Sequence, residues 1–320
     1  MRKGCLWGCL GVLAIAGLTA VILATYFGTK YDVITSAPRV STAEFASERS
    51  AIVALLDPNT PEVYTILAGS ERDSAGVKYL LPYECSAILD VDAAKGTRQL
   101  TLSISPRRFA GILLKIFASQ EVLSFETPGF EDWVTAGLVE EKGALVMRKR
   151  GRIAPEAIEL VQEQPVPSGE QPFEVEGGHV FEVIVDNLNG CVFLGLEQLA
   201  RPRERESDEG EEKRTVDPGK FAELLSRIRT ARITCDFDSE GNLAVIVDIE
   251  CPDEAAAESI LSGLLSVRDR MAEESLEEGY VVEGEPELLG NRIHADITVR
   301  GAQGALVEQA ALSVQKSRER

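Results

Sequence analysis

One pattern of strand and helix periods occurs twice in this chain, and it restricts the fold more than any single motif does. In the first copy, residues 86–92 and 98–105 alternate apolar and polar, with Ala87, Leu89 and Val91 and then Leu100, Leu102 and Ile104 in phase. A period of two belongs to half-buried strands, and Asp92 to Gly96 between them supplies turn chemistry. After Pro106 a helical period takes over, placing Phe109, Leu113, Ile116 and Phe117 on one face. An irregular segment, Glu121 to Lys142, leads to a strand from Ala144 to Lys149 and a helix from Pro155 that carries Ile158 and Val161.

The same order returns downstream. Ile233, Cys235 and Phe237 alternate, Asp238 to Asn242 turns, and Leu243, Val245, Val247 and Ile249 alternate again. Pro252 opens a helix with Ile260, Leu264, Val267 and Met271 on one face. It is followed by an acidic irregular segment (Glu273 to Glu287), a strand through Ile293 to Val299 and a closing helix with Leu306 and Val307. Asp90-x-Asp92 answers to Asp236-x-Asp238, Pro106 to Pro252 and Arg150-Gly151 to Arg300-Gly301, at offsets of 146 to 150 residues.

Each copy also has a strand and a helix ahead of its hairpin: Ala51 to Leu56 and Pro61 to Ala68 in the first, His179 to Val185 and Pro218 to Ile228 in the second. The unit reads β-α-β-β-α-β with a further helix. The expected fold class is therefore α+β: two tandem split-βαβ, ferredoxin-like repeats with mainly antiparallel sheets and helices on one face. The expected divisions are an N-terminal tip and anchor at 1–29, a linker at 30–47, a first repeat at 48–163, a Pro- and Gly-containing linker at 164–178 and a second repeat at 179–318. A charged insertion at 201–218 interrupts the second repeat, too polar to join a core.

From Gly4 to Thr29 there are 26 residues without a charge, mostly Leu, Ile, Val, Ala and Gly. At about 1.5 Å per residue such a helix crosses a hydrocarbon layer about 30 Å thick. Arg2 and Lys3 precede the run and no basic excess follows it. The N-terminus is thus expected in the cytoplasm, and residues 30–320 outside it, in the periplasm if the cell is Gram-negative. The run exceeds a signal-peptide core of about 7–15 residues and lacks a good small-x-small site, which favours an uncleaved anchor. Leu6-Trp7-Gly8-Cys9 resembles a lipobox but precedes the apolar region instead of following it. Gly4, Gly8, Ala16, Ala20 and Ala24 recur at a spacing of four, a face on which two such helices can pair as a homodimer.

The formal net charge is −19, and −21 without Arg2 and Lys3. That balance disfavours nucleic acid and anionic lipid surfaces as partners. Cys85, Cys191, Cys235 and Cys251 are widely spaced with no CxxC pair, which supports neither a zinc ribbon nor a thioredoxin-like site; they are either free thiols or paired in one of three connectivities.

Catalytic motifs are missing. His179 and His294 are the only histidines, and neither sits in a G-x-S-x-G, HExxH, Walker A or GxGxxG context. Asp236-x-Asp238-x-Glu240-Gly241 resembles the start of a calcium loop, but Val247 stands at the twelfth position, where a bidentate acid is required. A hairpin turn whose acids cap backbone amides accounts for it. No catalytic, cofactor-binding or metal-ligating residue is assigned. The sole candidate binding feature is an apolar groove formed by Phe125, Phe130 and Trp133. The sequence thus points to a membrane-anchored extracytoplasmic interaction or assembly protein of the cell envelope, without catalysis and with a protein partner. The alternatives are a carrier or sensor of an apolar small molecule or lipid, and a hydrolase using carboxylates.

Overall fold

The computed structural model describes residues 41–68, 81–106, 133–162, 177–187, 190–200, 218–278 and 280–308. In chain order the strands are β1 (Ser50–Leu56), β2 (Glu84–Asp92), β3 (Thr97–Ser105), β4 (Val134–Glu141), β5 (Ala144–Arg152) and β6 (Phe181–Asp186). They continue with β7 (Thr230–Phe237), β8 (Leu243–Glu250), β9 (Val281–Glu283), β10 (Pro286–Leu289) and β11 (Arg292–Arg300). The helices are α1 (Pro61–Ala68), α2 (Pro155–Gln162), α3 (Cys191–Ala200), α4 (Pro218–Ser226) and α5 (Glu254–Glu278), and a 3₁₀ turn covers Thr42–Phe45.

The eleven strands of the described residues join one antiparallel sheet in the order β10-β11-β8-β7-β6-β1-β2-β3-β5-β4, with β9 also on β11. The order reads outward from its centre as two like halves, β1-β2-β3-β5-β4 and β6-β7-β8-β11-β10. They meet where Ile52 to Leu56 pair with Val185 to Phe181. The two halves thus have like strand orders and share one sheet. The ferredoxin-like arrangement is corrected, however. A split βαβ unit brings strands parallel, whereas here β1 pairs antiparallel with β2 despite the helix between them.

Strand periodicity separates the two faces. One cross-strand row runs Leu100, Leu89, Ile52, Val185, Ala231, Ile249 and Ile293, apolar across seven strands. It underlies two clusters, one around Trp133, Phe193 and Leu194 and one around Val247, Ile260 and Ile293. Helices α2, α3 and α4 contribute to the first cluster and α5 to the second, all on this face. On the opposite face the matching row reads Arg148, Thr101, Ile88, Val53, Ile184, Arg232, Asp248 and His294.

Three local expectations change. The segment expected to be irregular before Ala144 contains β4, whose pairing with β5 is interrupted between Ala136 and Val139. The acidic segment after Met271 is helical to Glu278 and then supplies β9 and β10. Helix α3 has no counterpart in the sequence-based order: it follows β6 and packs on β1 and β2. Residues 302–308 are helical, as the closing period predicts. The helix expected after Pro106, the linker core at 163–176 and the charged insertion through 217 lie outside the described residues. So does the apolar run at 4–29; among the described residues no helix is long and apolar enough to cross a membrane.

Candidate functional site

Over β6, β7, β8, β10 and β11 the polar face is open and forms a recess of about 570 Å³. Strand alternation brings its side chains together. Ile184, Arg232, Asp248 and His294 stand in one row, and Asp186, Thr230, Glu250 and Arg292 in the next. Glu182, only 1% exposed, accepts from Arg232 Nη2 at 2.5 Å and from the Gly177 amide at 3.1 Å. Glu250 binds both Arg229 Nη1 at 3.1 Å and Arg292 Nη2 at 3.4 Å. Asp248 Oδ1 lies 2.7 Å from His294 Nδ1, and that hydrogen bond is the main reason the imidazole titrates above its ordinary value; the charges of Asp248, Asp296 and Glu287 add to it.

The other histidine is held in the same way. Asp236 Oδ2 lies 2.6 Å from His179 Nδ1, and Asp236 Oδ1 accepts the Val180 amide at 2.9 Å. Its counterpart Asp90 accepts from Ser50 Oγ at 2.6 Å and Ser47 Oγ at 3.3 Å. In both halves this aspartate ties down the chain entering the half's first strand. Asp238 accepts the Glu240 and Asn242 amides at 2.8 and 2.9 Å, so the calcium-like motif is a capped hairpin turn. The Asn242 side-chain hydrogen bond, followed by the amide bonds, holds its carboxyl below the usual range. Among the described residues no group of three or more His, Cys, Asp or Glu side chains is placed to hold a metal ion.

The same face is covered in the first half. There the 3₁₀ segment lies across β1, β2 and β3, and Glu84 Oε1 accepts from the Thr42 amide at 2.5 Å and Thr42 Oγ1 at 2.7 Å. Ser86 donates to the Thr42 carbonyl at 3.4 Å and shares a 2.5 Å contact with Ser103. Ala43, Phe45 and Ala46 pack on Val53, Leu55 and Ile88. Among the described residues the two halves of one face thus differ: one is covered by the 3₁₀ segment, while the other forms the charged recess around Arg232, Asp248 and His294.

Of the groove residues expected from sequence, Phe125 and Phe130 lie outside the described residues. Trp133 is 5% exposed and packs on Gly151 beneath the Arg98 guanidinium, which is 5.0 Å from its ring centroid. It belongs to the helix-covered core and not to the recess. Arg98, missed in the sequence, is ion-paired at 3.0 Å with Glu197, their side chains 0% and 4% exposed. Arg98 occupies the apolar register of β3 with Leu100 and Leu102, and a charge at such a position requires a buried partner.

All four described cysteines are free thiols. Burial raises their pKa values, to about 12 for Cys191 and about 11 for Cys85 and Cys251, with nearby acids adding to the effect.

Comparison with known proteins adds little. No family model matches the sequence, and no curated protein matches it. Among solved structures, the chain described as the structure of crystal form I of TP0453 is similar at a TM-score of 0.34 and 10% identity, covering 87% of this chain and 99% of that one. A likeness of that degree carries no argument.

Proposed function

We propose that this protein is a non-enzymatic interaction or assembly module of the cell envelope, anchored through residues 4–29 with residues 30–320 outside the cytoplasm. The observation that carries the proposal is the open half of the polar sheet face. A sheet packed against helices on one side, with a charged recess on the other that no described element covers, has a surface suited to another macromolecule. Within it Glu182 pairs with Arg232, Asp248 with His294, and Glu250 with Arg229 and Arg292.

Two experiments test this. Protease added to intact cells and to spheroplasts should digest residues 30–320 only after the outer barrier is breached; protection in spheroplasts overturns the topology. A photo-crosslinking amino acid replacing exposed Ile246 on the open face should yield a discrete protein adduct in cells, while the same group replacing Leu224 on α4 should not. Equal labelling from both positions overturns the interaction surface.

A second reading, carriage of an apolar molecule or lipid, is supported by the row Leu56, Phe181, Cys235 and Val245, whose side chains remain partly exposed on the apolar face. Native mass spectrometry of protein purified without added lipid would show bound mass under that reading. Repeated absence of added mass sinks it.

A further inference from the structure

The internal duplication assigns a counterpart to the open recess. Asp90 in β2 and Asp236 in β7 play the same part in the two halves, each binding the chain that enters the half's first strand. Four residues before Asp90 stands Ser86, paired across strands with Ser103; four residues before Asp236 stands Arg232, paired with Asp248. Ser86 and Ser103 lie beneath the docked segment Thr42–Phe45. Arg232 and Asp248 line the recess. The part of the recess over Arg232 and Asp248 therefore answers to the Ser86 and Ser103 part of a place where the first half already holds a short peptide segment.

The floor has been rebuilt in charge. In place of Glu84, Ser86 and Ser103 it presents Thr230, Arg232 and Asp248, with Ile184 and Ile246 as apolar footing. Acids outnumber bases on this half-face: Glu182 (buried against Arg232), Asp186, Asp248, Glu250, Glu287 and Asp296 stand against Arg229, Arg232, Arg292 and His294. The hydrogen bond to Asp248, with the charges of Asp248, Asp296 and Glu287 behind it, raises the affinity of His294 for its proton. A basic segment complements that field. The chain's own residues 170–176, which precede the strand β6 as residues 41–46 precede β1, carry Glu170, Glu174 and Glu176 and have the wrong sign.

We propose that the recess over β6, β7 and β8 is a docking site for a short basic peptide segment of a partner protein, seated as residues 41–46 are seated on β1, β2 and β3. This deepens the interaction reading above and rests on it. In the bound state the partner's Lys or Arg groups meet Asp248 and Glu250, while an apolar side chain contacts Ile246, two residues from Asp248 on the same face of β8.

The test uses the full chain in detergent micelles with two labelled hexapeptides built on residues 41–46, Ser-Thr-Ala-Lys-Phe-Lys and Ser-Thr-Ala-Glu-Phe-Glu, followed by fluorescence anisotropy. The basic peptide should bind at least about tenfold more tightly than the acidic one, and Asp248→Asn with Glu250→Gln should remove most of that margin. Binding should also weaken strongly in about 1 M salt, where the Debye length is about 3 Å. Replacing Ile246 with Lys, a change at an exposed position that leaves the ion pairs in place, should weaken the basic peptide again. Equal affinity for both peptides, no binding of either, or indifference to these substitutions overturns the proposal. So does crosslinking from position 246 to residues 170–176 of the same chain. If peptides fail while position 246 still captures a protein in cells, the basic-segment proposal falls and the interaction reading stands. If the cellular crosslink is also lost, both fall.

Discussion

At the scale of single residues the decisive contacts are buried charge and close packing. Arg98 reaches across from β3 to Glu197 on α3, and its Nη1 also donates to the Leu194 carbonyl at 3.1 Å. Removing one partner leaves the other charged in a dry core. Glu197→Ala should therefore cost about 3–5 kcal/mol in denaturant unfolding, whereas Arg98→Met combined with Glu197→Leu should recover most of it. Gly151 and Gly195 are required by their neighbours: a Cβ would sit 2.7 Å from the Trp133 ring in one case and 2.6 Å from a Leu89 methyl in the other. Alanine at either position should destabilise by about 1–3 kcal/mol through overpacking. The landmark Arg150-Gly151 recurs as Arg300-Gly301, but Gly301 is glycine for another reason, a φ of 75°. Identical letters serve different physics there.

His294 offers a test by pH. Its bond to Asp248 raises the folded pKa above 6.5, so its contribution to stability is fully present below the unfolded value and is lost as pH rises through the folded one. The His294 ring protons followed by NMR should titrate above 6.5, and Asp248→Asn should move the midpoint down. A midpoint unchanged by that substitution would contradict the pairing.

At the scale of elements, the 3₁₀ segment is held by one buried carboxylate. Glu84 satisfies a backbone amide and a hydroxyl of Thr42 while Phe45 and Ala43 cover Val53 and Ile88. Glu84→Ala should raise amide exchange over residues 41–46 well before it affects the central strands, a local opening that hydrogen-exchange mass spectrometry resolves. Uniform faster exchange across β1 and β2 would instead mean that the clamp supports the whole sheet. The strands themselves were largely legible beforehand: the ends expected for β3, β7 and β8 fall within a few residues of those observed because their alternation is strict. β4 escaped because its pairing shifts register between Ala136 and Val139, which breaks the period of two. β9 and β10, of three and four residues, are too short to show a period at all. α3 is not legible in the sequence because Cys191 to Leu196 is a short uncharged run, which periodicity alone cannot tell from a buried strand.

At the scale of the molecule, the two copies are bound into one unit by three devices. β1 pairs with β6 at the centre of the sheet, the Leu100-to-Ile293 row runs through both hydrophobic clusters, and α3 of the second copy packs on β1 and β2 of the first. Thermal or denaturant unfolding should accordingly give one transition, coincident when followed by Trp133 fluorescence and by far-ultraviolet circular dichroism. Two separated transitions would show that the copies unfold as independent domains.

By itself the sequence determined the apolar run at 4–29, the strand and helix periods, and the landmarks matched at offsets of 146 to 150 residues, because all three are encoded in spacing along the chain. Only the tertiary structure decided that the copies share one antiparallel sheet, that Arg98 meets Glu197 and that Arg232, Asp248 and His294 line one open recess. Those partners lie 46 to 99 residues apart where they touch, or meet only across strand register. Register and face are set by the packing of the whole sheet, a physical property that no local period in the chain contains.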